Sequence, residues 1–295
     1  MYITYISDPL NIAHIYGNEG IGAQYQRIVA LISIARRHNL KYIHIPIKIG
    51  HNYNNDPEWD EKWEKMFNIK KLTNNDEIDY LTLDNKITKF THDITLDQLL
   101  KDNENKTNIL NHYHLPFKIF DNNPDYYLSN IQKDIIDAYD EINSTRKLIY
   151  DKNKTNIAIH IRVFNKCDNK EYYQNFLEKK SERFYMSDDM YINYINILKL
   201  NYPNADIYIF SQKDKFDIHY SKLRELKDIK LHFDDLDTFD TFHHLCKADV
   251  LCLGTSSFSI LASFYNKNTV IHIPYYHPPY LKSWLTYNPF TPSHI

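Results

Sequence analysis

The sequence predicts an α/β protein built from two doubly wound halves, divided near residue 150, with a ligand cleft between them. Three observations carry this. Beyond residue 150, short apolar runs alternate with segments of helical period, the pattern of right-handed crossovers onto a parallel sheet. The first fifty residues begin the same way, as strand, loop, helix and strand. The chain has 295 residues, 43% hydrophobic and 25% charged, which is enough for two domains with a core each.

In the first half, Tyr2 to Ser7 alternates as a strand. The loop Tyr16 to Gly22 holds three of the five glycines, so the backbone there is expected to turn tightly before a helix. From Ala23 to His38, Ile28, Leu31, Ile32 and Ala35 share one helical face. Lys41 to Pro46 is a short strand stopped by proline. Asp56 to Phe67 reads as a helix with Trp59, Trp63 and Phe67 at i, i+4 and i+8, an aromatic stripe for core packing. Polar stretches such as 102–108 read as surface loops. A single long helix is expected from Tyr126 to Arg146, burying Ile131, Ile135, Ile136, Tyr139 and Ile142.

In the second half, strands are expected at Asn156–Arg162, Asp206–Ser211, Ile229–Phe233, Asp249–Gly254 and Thr269–Pro274. Helices are expected at Asp188–Leu200, Phe216–Leu226, Phe239–Lys247 and Ser256–Asn266.

Composition removes several classes of function. A formal net charge of −3 gives no global reason to expect nucleic acid or an anionic membrane as partner. No apolar run reaches the roughly 18 residues that span a bilayer, and Met1 to Ser7 lacks the basic start of a signal peptide. A cytoplasmic protein is expected. Three cysteines (Cys167, Cys246 and Cys252), without CxxC spacing, argue against a disulfide framework or a structural zinc site. The abundance of Tyr, at 25, and the scarcity of Gly, at 5, fit an AT-rich genome such as that of a giant virus or an AT-rich microbe.

Four elements could carry chemistry. Val250 to Leu253 is a buried run that ends at Gly254; the hydroxyls of Thr255, Ser256, Ser257 and Ser259 follow, and then a helix begins. Such a turn caps a helix. It also points N–H groups and the positive end of the helix dipole at a phosphate. In Ile157-Ala-Ile-His-Ile-Arg162, alternation puts His160 and Arg162 on one face near the strand's carboxyl end. An arginine there can grip a diphosphate with its fork or form a structural ion pair. The Gly17 to Gln26 segment brings backbone close to a helix start or a ligand. Asp234 to Asp237 has a DxD-like spacing, but an acid accepting from a base or ribose fits it better than a metal, and no metal site is expected. There is no Walker lysine and no GxGxxG.

Together these segments resemble the GT-B glycosyltransferases of the α-1,2/α-1,6 fucosyltransferase superfamily. Gly20-Ile-Gly-Ala-Gln24 is similar to that family's Gly-x-Gly-(Asn/Cys/Ala)-Gln loop, His160-Ile-Arg162 to its His-x-Arg motif, and Phe242 to Ala262 to its closing Ser-Ser-Phe-Ser motif. Tyr208 to Ser211 resembles one of its strand ends. Val163, Phe164 and Asn165 stand where many members carry Arg-Gly-Asp, and Gln212-Lys213-Asp214 replaces a common Asp-Asp.

The resemblance implies a GT-B fold of two Rossmann-like domains facing across a cleft. Residues 1–150 would form the acceptor side, and residues 151–295 would bind the nucleotide sugar. It implies transfer of a sugar, fucose from GDP-fucose as first choice, to a glycan by metal-independent inverting displacement, with no cofactor beyond the donor. Arg162 would contact the β-phosphate. Ser256, Ser257 and Phe258 would line the diphosphate, with His160, Ser211, Asp235 and Thr255 as further donor-side residues. Gly20, Gly22 and Gln24 would face the sugar and acceptor. Glu19, His51 and Asp240, in or beside expected loops, are candidates for the base. The alternatives are a GT-B transferase using another nucleotide sugar, and a non-catalytic relative that binds glycan or nucleotide.

Overall fold

The computed structural model describes residues 2–4 (backbone), 20–46, 56–73, 101, 120–163, 186–212, 220–233, 236–273 and 281–288. The chain forms two compact units, Met1–Ser144 and Thr145–Ile295.

In the first unit, strand β1 (Tyr2–Thr4) pairs in parallel with β2 (Lys41–Ile43), connected through helix α1 (Ile21–Arg37). Helix α1 starts at Ile21, two residues before its expected first residue, with Gly20 as an extended N-cap. It ends in a Schellman motif. Asn39 takes the left-handed conformation (φ 53°), its N–H donates to Arg36 O, and the Leu40 N–H donates to Ala35 O. Helix α2 (Trp59–Phe67) buries the expected stripe: Trp59, Trp63 and Phe67 are 4%, 0% and 0% exposed, which contributes about 1.5–3 kcal/mol for each such side chain. Short α3 (Ile69–Thr73) follows.

The expected single helix over Tyr126–Arg146 is two, α4 (Pro124–Leu128) and α5 (Gln132–Asn143). Pro124 suits a helix start. At Ile131 the backbone leaves the helical region (φ −125°, ψ −17°) and its N–H closes a tight turn onto Leu128 O. Hydrophobic period alone runs through such a break. Ile142 is 39% exposed rather than buried, although helical spacing sets it between Ala138 and Tyr139; it lies in the last turn of α5, where Asn143 is the buried side chain. The burial of Asn143 is offset by hydrogen bonds that its side chain donates to Met66 O at 2.9 Å and Tyr139 O at 2.8 Å.

In the second unit, six parallel strands run in the order β5-β4-β3-β6-β7-β8. They are β3 (Asn156–His160), β4 (Asp206–Ser211), β5 (Ile229–Phe233), β6 (Val250–Cys252), β7 (Thr269–His272) and β8 (Leu285–Thr286). The short β8 has no counterpart among the expected strands. Strand β3 stops at His160, so Arg162 lies just past the strand end rather than within it. Helices α6 (Asp188–Asn201), α7 (Thr238–Lys247) and α8 (Ser257–Tyr265) intervene. The described part of the expected helix Phe216–Leu226 is a 3-10 turn over Lys222–Glu225.

Strand alternation assigns the two faces of the sheet. Ile157, Ile159, Ile207, Ile209, Val250 and Cys252 join Tyr194, Ile195 and Leu198 of α6 in one core layer. His160 and Phe210 lie on the opposite face, where their rings meet Phe258 of α8 and His244 of α7. The segment leading into this unit is fastened to α7. The Ile149 N–H donates to His244 Nε2 at 2.9 Å, and the Tyr150 hydroxyl donates to His244 O at 2.8 Å. Among the described residues, no helix is long and apolar enough to cross a membrane.

Candidate functional site

The strand order reverses direction once. From β3 the chain proceeds outward to β4 and β5, then crosses back to β6 on the other side of β3. In open parallel sheets, the crevice at the carboxyl ends of the two strands flanking such a reversal is where ligands bind. Here those strands are β3 and β6. The residues that leave their carboxyl ends are His160 to Arg162 and Gly254 to Ser259, the two segments singled out in the sequence.

Gly254 is required by space. A Cβ placed there would lie 2.1 Å from the His160 carbonyl oxygen. No described glycine has a positive φ, so the glycine serves close approach rather than an unusual backbone angle. The two strand ends therefore touch through backbone, and the imidazole of His160 lies beside the turn.

Helix α8 begins in a hydroxyl network. Ser256 is the N-cap, and its Oγ accepts from the Phe258 N–H at 3.3 Å. Ser259 Oγ accepts from the Gly254 N–H at 3.3 Å and donates to Ser256 O at 3.1 Å. The Ile260 N–H closes the first helical turn onto Ser256 O. The Phe258 and Gly254 N–H groups are thus committed to holding the turn. Thr255 stands outside this network. The first turn of α8 carries no acidic residue, whereas α6 has Asp188 and Asp189 there and α7 has Asp240. The first turn of α8 thus brings no carboxylate of its own against the helix dipole, which suits an anion.

His160 is 8% exposed, and its Nδ1 is buried without a hydrogen-bond partner among the described residues. Its ring centroid is 5.5 Å from that of Phe258, which in turn packs edge-on against Phe242 at 5.3 Å. Burial, and secondarily the charge of Arg162, pushes the His160 pKa down from the usual 6.5 to about 3. The imidazole is therefore neutral at physiological pH.

Stability should carry the mark of this buried ring. Between pH 6.5 and about 3 the unfolded chain binds a proton at His160 that the folded chain does not, so stability falls as pH drops through this window. A tenfold difference in proton affinity between the two states corresponds to roughly 1.4 kcal/mol. The melting temperature of the wild type should decline more steeply between pH 6.5 and 5 than that of His160→Gln. Parallel slopes would show that this imidazole titrates normally.

The remaining expected residues fall as follows. Ser211 ends β4, and its hydroxyl donates to Ile161 O at 2.8 Å. Asp240, in the first turn of α7, accepts from Arg146 at 2.8 Å, so its carboxylate is already paired. Gly20, Gly22 and Gln24 belong to the first unit, at the start of α1; Gly20 has open space around it, and Gln24 is buried. Glu19, His51 and Asp235 lie outside the described residues, as do Cys167, Asp234 and the 102–108 stretch. Among the described residues, no three His, Cys, Asp or Glu side chains gather as metal ligands.

One polar cluster had no sequence signal. His44, directly after β2, meets Glu64 of α2, with Nε2 to Oε2 at 2.7 Å, and the Tyr42 hydroxyl, with Nδ1 at 3.3 Å. The carboxylate can only accept, so Nε2 carries a proton and donates to Glu64. Both ring nitrogens are engaged and the side chain is 2% exposed, so the group ties α2 to β2. Twenty residues separate His44 from Glu64, and no local pattern links them.

No family model matches the chain, and no curated protein matches it. Among solved structures it is similar to POFUT1 in complex with GDP-fucose, at 12% identity over 90% of this chain and 95% of that one, with a TM-score of 0.46. It is also similar to the E. coli heptosyltransferase WaaC with ADP-2-deoxy-2-fluoro heptose, at 10% identity over 97% of this chain and 93% of that one, with a TM-score of 0.41. At such identities no residue role passes from those proteins to this one.

Proposed function

We propose that this chain is a GT-B glycosyltransferase that binds a nucleoside diphosphate sugar in the β3/β6 crevice and transfers the sugar to a glycan. The observation that carries the reading is the junction of Gly254 with His160. It brings an arginine, a buried neutral imidazole and a carboxylate-free helix start to one point at the strand reversal.

The chemistry follows from these groups. Breaking the anomeric bond leaves a second negative charge on the β-phosphate. Arg162 supplies a permanent cation for it, and the α8 dipole supplies a fixed partial charge; neither needs to reorganise as charge develops. A single inverting displacement with oxocarbenium character fits this arrangement without a resident metal ion. Fucose from GDP-fucose is the first choice of donor, on the strength of the sequence resemblance. Asp240 is paired with Arg146 through one carboxylate oxygen, and this pairing favours a role in fixing α7.

The test is release of free nucleoside diphosphate from a set of GDP-, UDP-, ADP- and dTDP-sugars, with and without a glycan mixture. Release from GDP-fucose supports the full reading. Release from another donor keeps the transferase and replaces the sugar. Nucleotide binding with no turnover across the glycans would replace the enzyme with a binding protein.

A further inference from the structure

We infer that Ser211 is a positioning residue for Arg162 and not a ligand of the donor phosphates; this rests on the nucleotide site proposed above. Strand β3 ends at His160, paired with Phe210 of β4. The chain does not come loose there. The Ile161 N–H donates to Phe210 O at 3.0 Å, and the Ser211 hydroxyl donates to Ile161 O at 2.8 Å. Ile161, 1% exposed, is thus held by both its N–H and its carbonyl.

The carbonyl bond sets the next residue. A peptide unit is planar, so the Ile161 carbonyl fixes the plane that contains the Arg162 nitrogen. Fixing that plane leaves the arginine one backbone rotation fewer with which to wander from the crevice. The extra hydrogen bond comes from the last residue of β4, where the ladder itself has run out.

The same bond removes Ser211 from the list of phosphate donors. A serine hydroxyl has one proton to give, and here Ile161 O takes it. The lone pairs that remain could only oppose a phosphate oxygen. Ser211 therefore acts on the ligand through Arg162.

The experiment is titration of GDP, UDP and ADP into wild type, Ser211→Ala, Ser211→Thr, Arg162→Ala and the Ser211→Ala/Arg162→Ala double variant, followed by calorimetry, with the melting temperature of each unliganded protein. The nucleotide that binds wild type should bind Ser211→Ala roughly 3- to 10-fold more weakly, the usual effect of one neutral hydrogen bond. Ser211→Thr keeps the hydroxyl and suits a strand, so it should come within about twofold of wild type. In the Arg162→Ala background, loss of Ser211 should add nothing beyond about twofold, since residues acting through one another are not additive. Equal weakening by Ser211→Ala in both backgrounds, or none in either, overturns the inference while the site stands. If Arg162→Ala binds as well as wild type, or wild type binds none of the three nucleotides, the site itself is wrong and the inference falls with it.

Discussion

Arg162→Ala is expected to reduce turnover of the donor by about 100- to 1,000-fold, the range seen when one group stabilising developing charge is removed. The residue is half-buried just beyond β3, and its charge reaches the His160 imidazole strongly enough to help keep it neutral. In the proposed site this guanidinium would face the diphosphate, and its benefit would grow as the leaving group gains charge. The loss should therefore appear mainly in kcat, with a smaller rise in KM. Arg162→Lys should restore part of the rate, because a point charge remains but the two-pronged geometry is lost. Steady-state release of nucleoside diphosphate measures both variants. Near-normal kcat in Arg162→Ala, with the protein folded, would remove Arg162 from the reaction.

The second unit is the more readable of the two because its central parallel strands, buried on both faces, are largely apolar runs, and its edge strand β5 alternates. Asp206–Ser211 and Ile229–Phe233 appear at their expected bounds, and α7 and α8 begin within one residue of expectation, beside Asp237 and Ser256 acting as caps. Where period carried the whole argument, it misled. Ser129 and Asn130 turn the chain between α4 and α5 although the apolar spacing continues across them. Strand β8 is two residues long with both side chains exposed, so it had no burial pattern to show.

At the strand reversal, residue types pointed to segments that the fold brings together, but not to what each hydroxyl does there. Ser256 reads as a phosphate ligand from sequence, and in the structure its hydroxyl caps the helix while Ser259 braces the turn. Ser211 reads as a donor contact through the resemblance of Tyr208 to Ser211 to a strand end of the fucosyltransferase superfamily. Its partner, Ile161, lies fifty residues away and becomes a neighbour through the β3–β4 register, which no local pattern encodes.

Gly254→Ala tests the junction itself, and its effect should be large for a single methyl group. The added Cβ would fall 2.1 Å from a backbone oxygen, not from a flexible side-chain tip. Relief requires β6 or β3 to move as a strand end, and each is held by its ladder: Ile159 pairs with Cys252, and the Leu253 N–H donates to Ile271 O at 3.0 Å. Forcing extra volume into a packed region costs about 1–3 kcal/mol, more where backbone must shift. Stability alone would not single out the crevice. The sharper expectation is that Gly254→Ala, even at temperatures where it is folded, loses nucleotide affinity by at least about tenfold, because separating the strand ends moves Thr255 and the α8 start away from Arg162. Ile159→Val, in the same strand but facing α6, should destabilise the fold by about 0.5–1.5 kcal/mol, lower the melting temperature accordingly and leave nucleotide affinity unchanged. A Gly254→Ala protein that binds nucleotide like wild type would show that the strand ends can part without disturbing the ligand, and would place the diphosphate elsewhere.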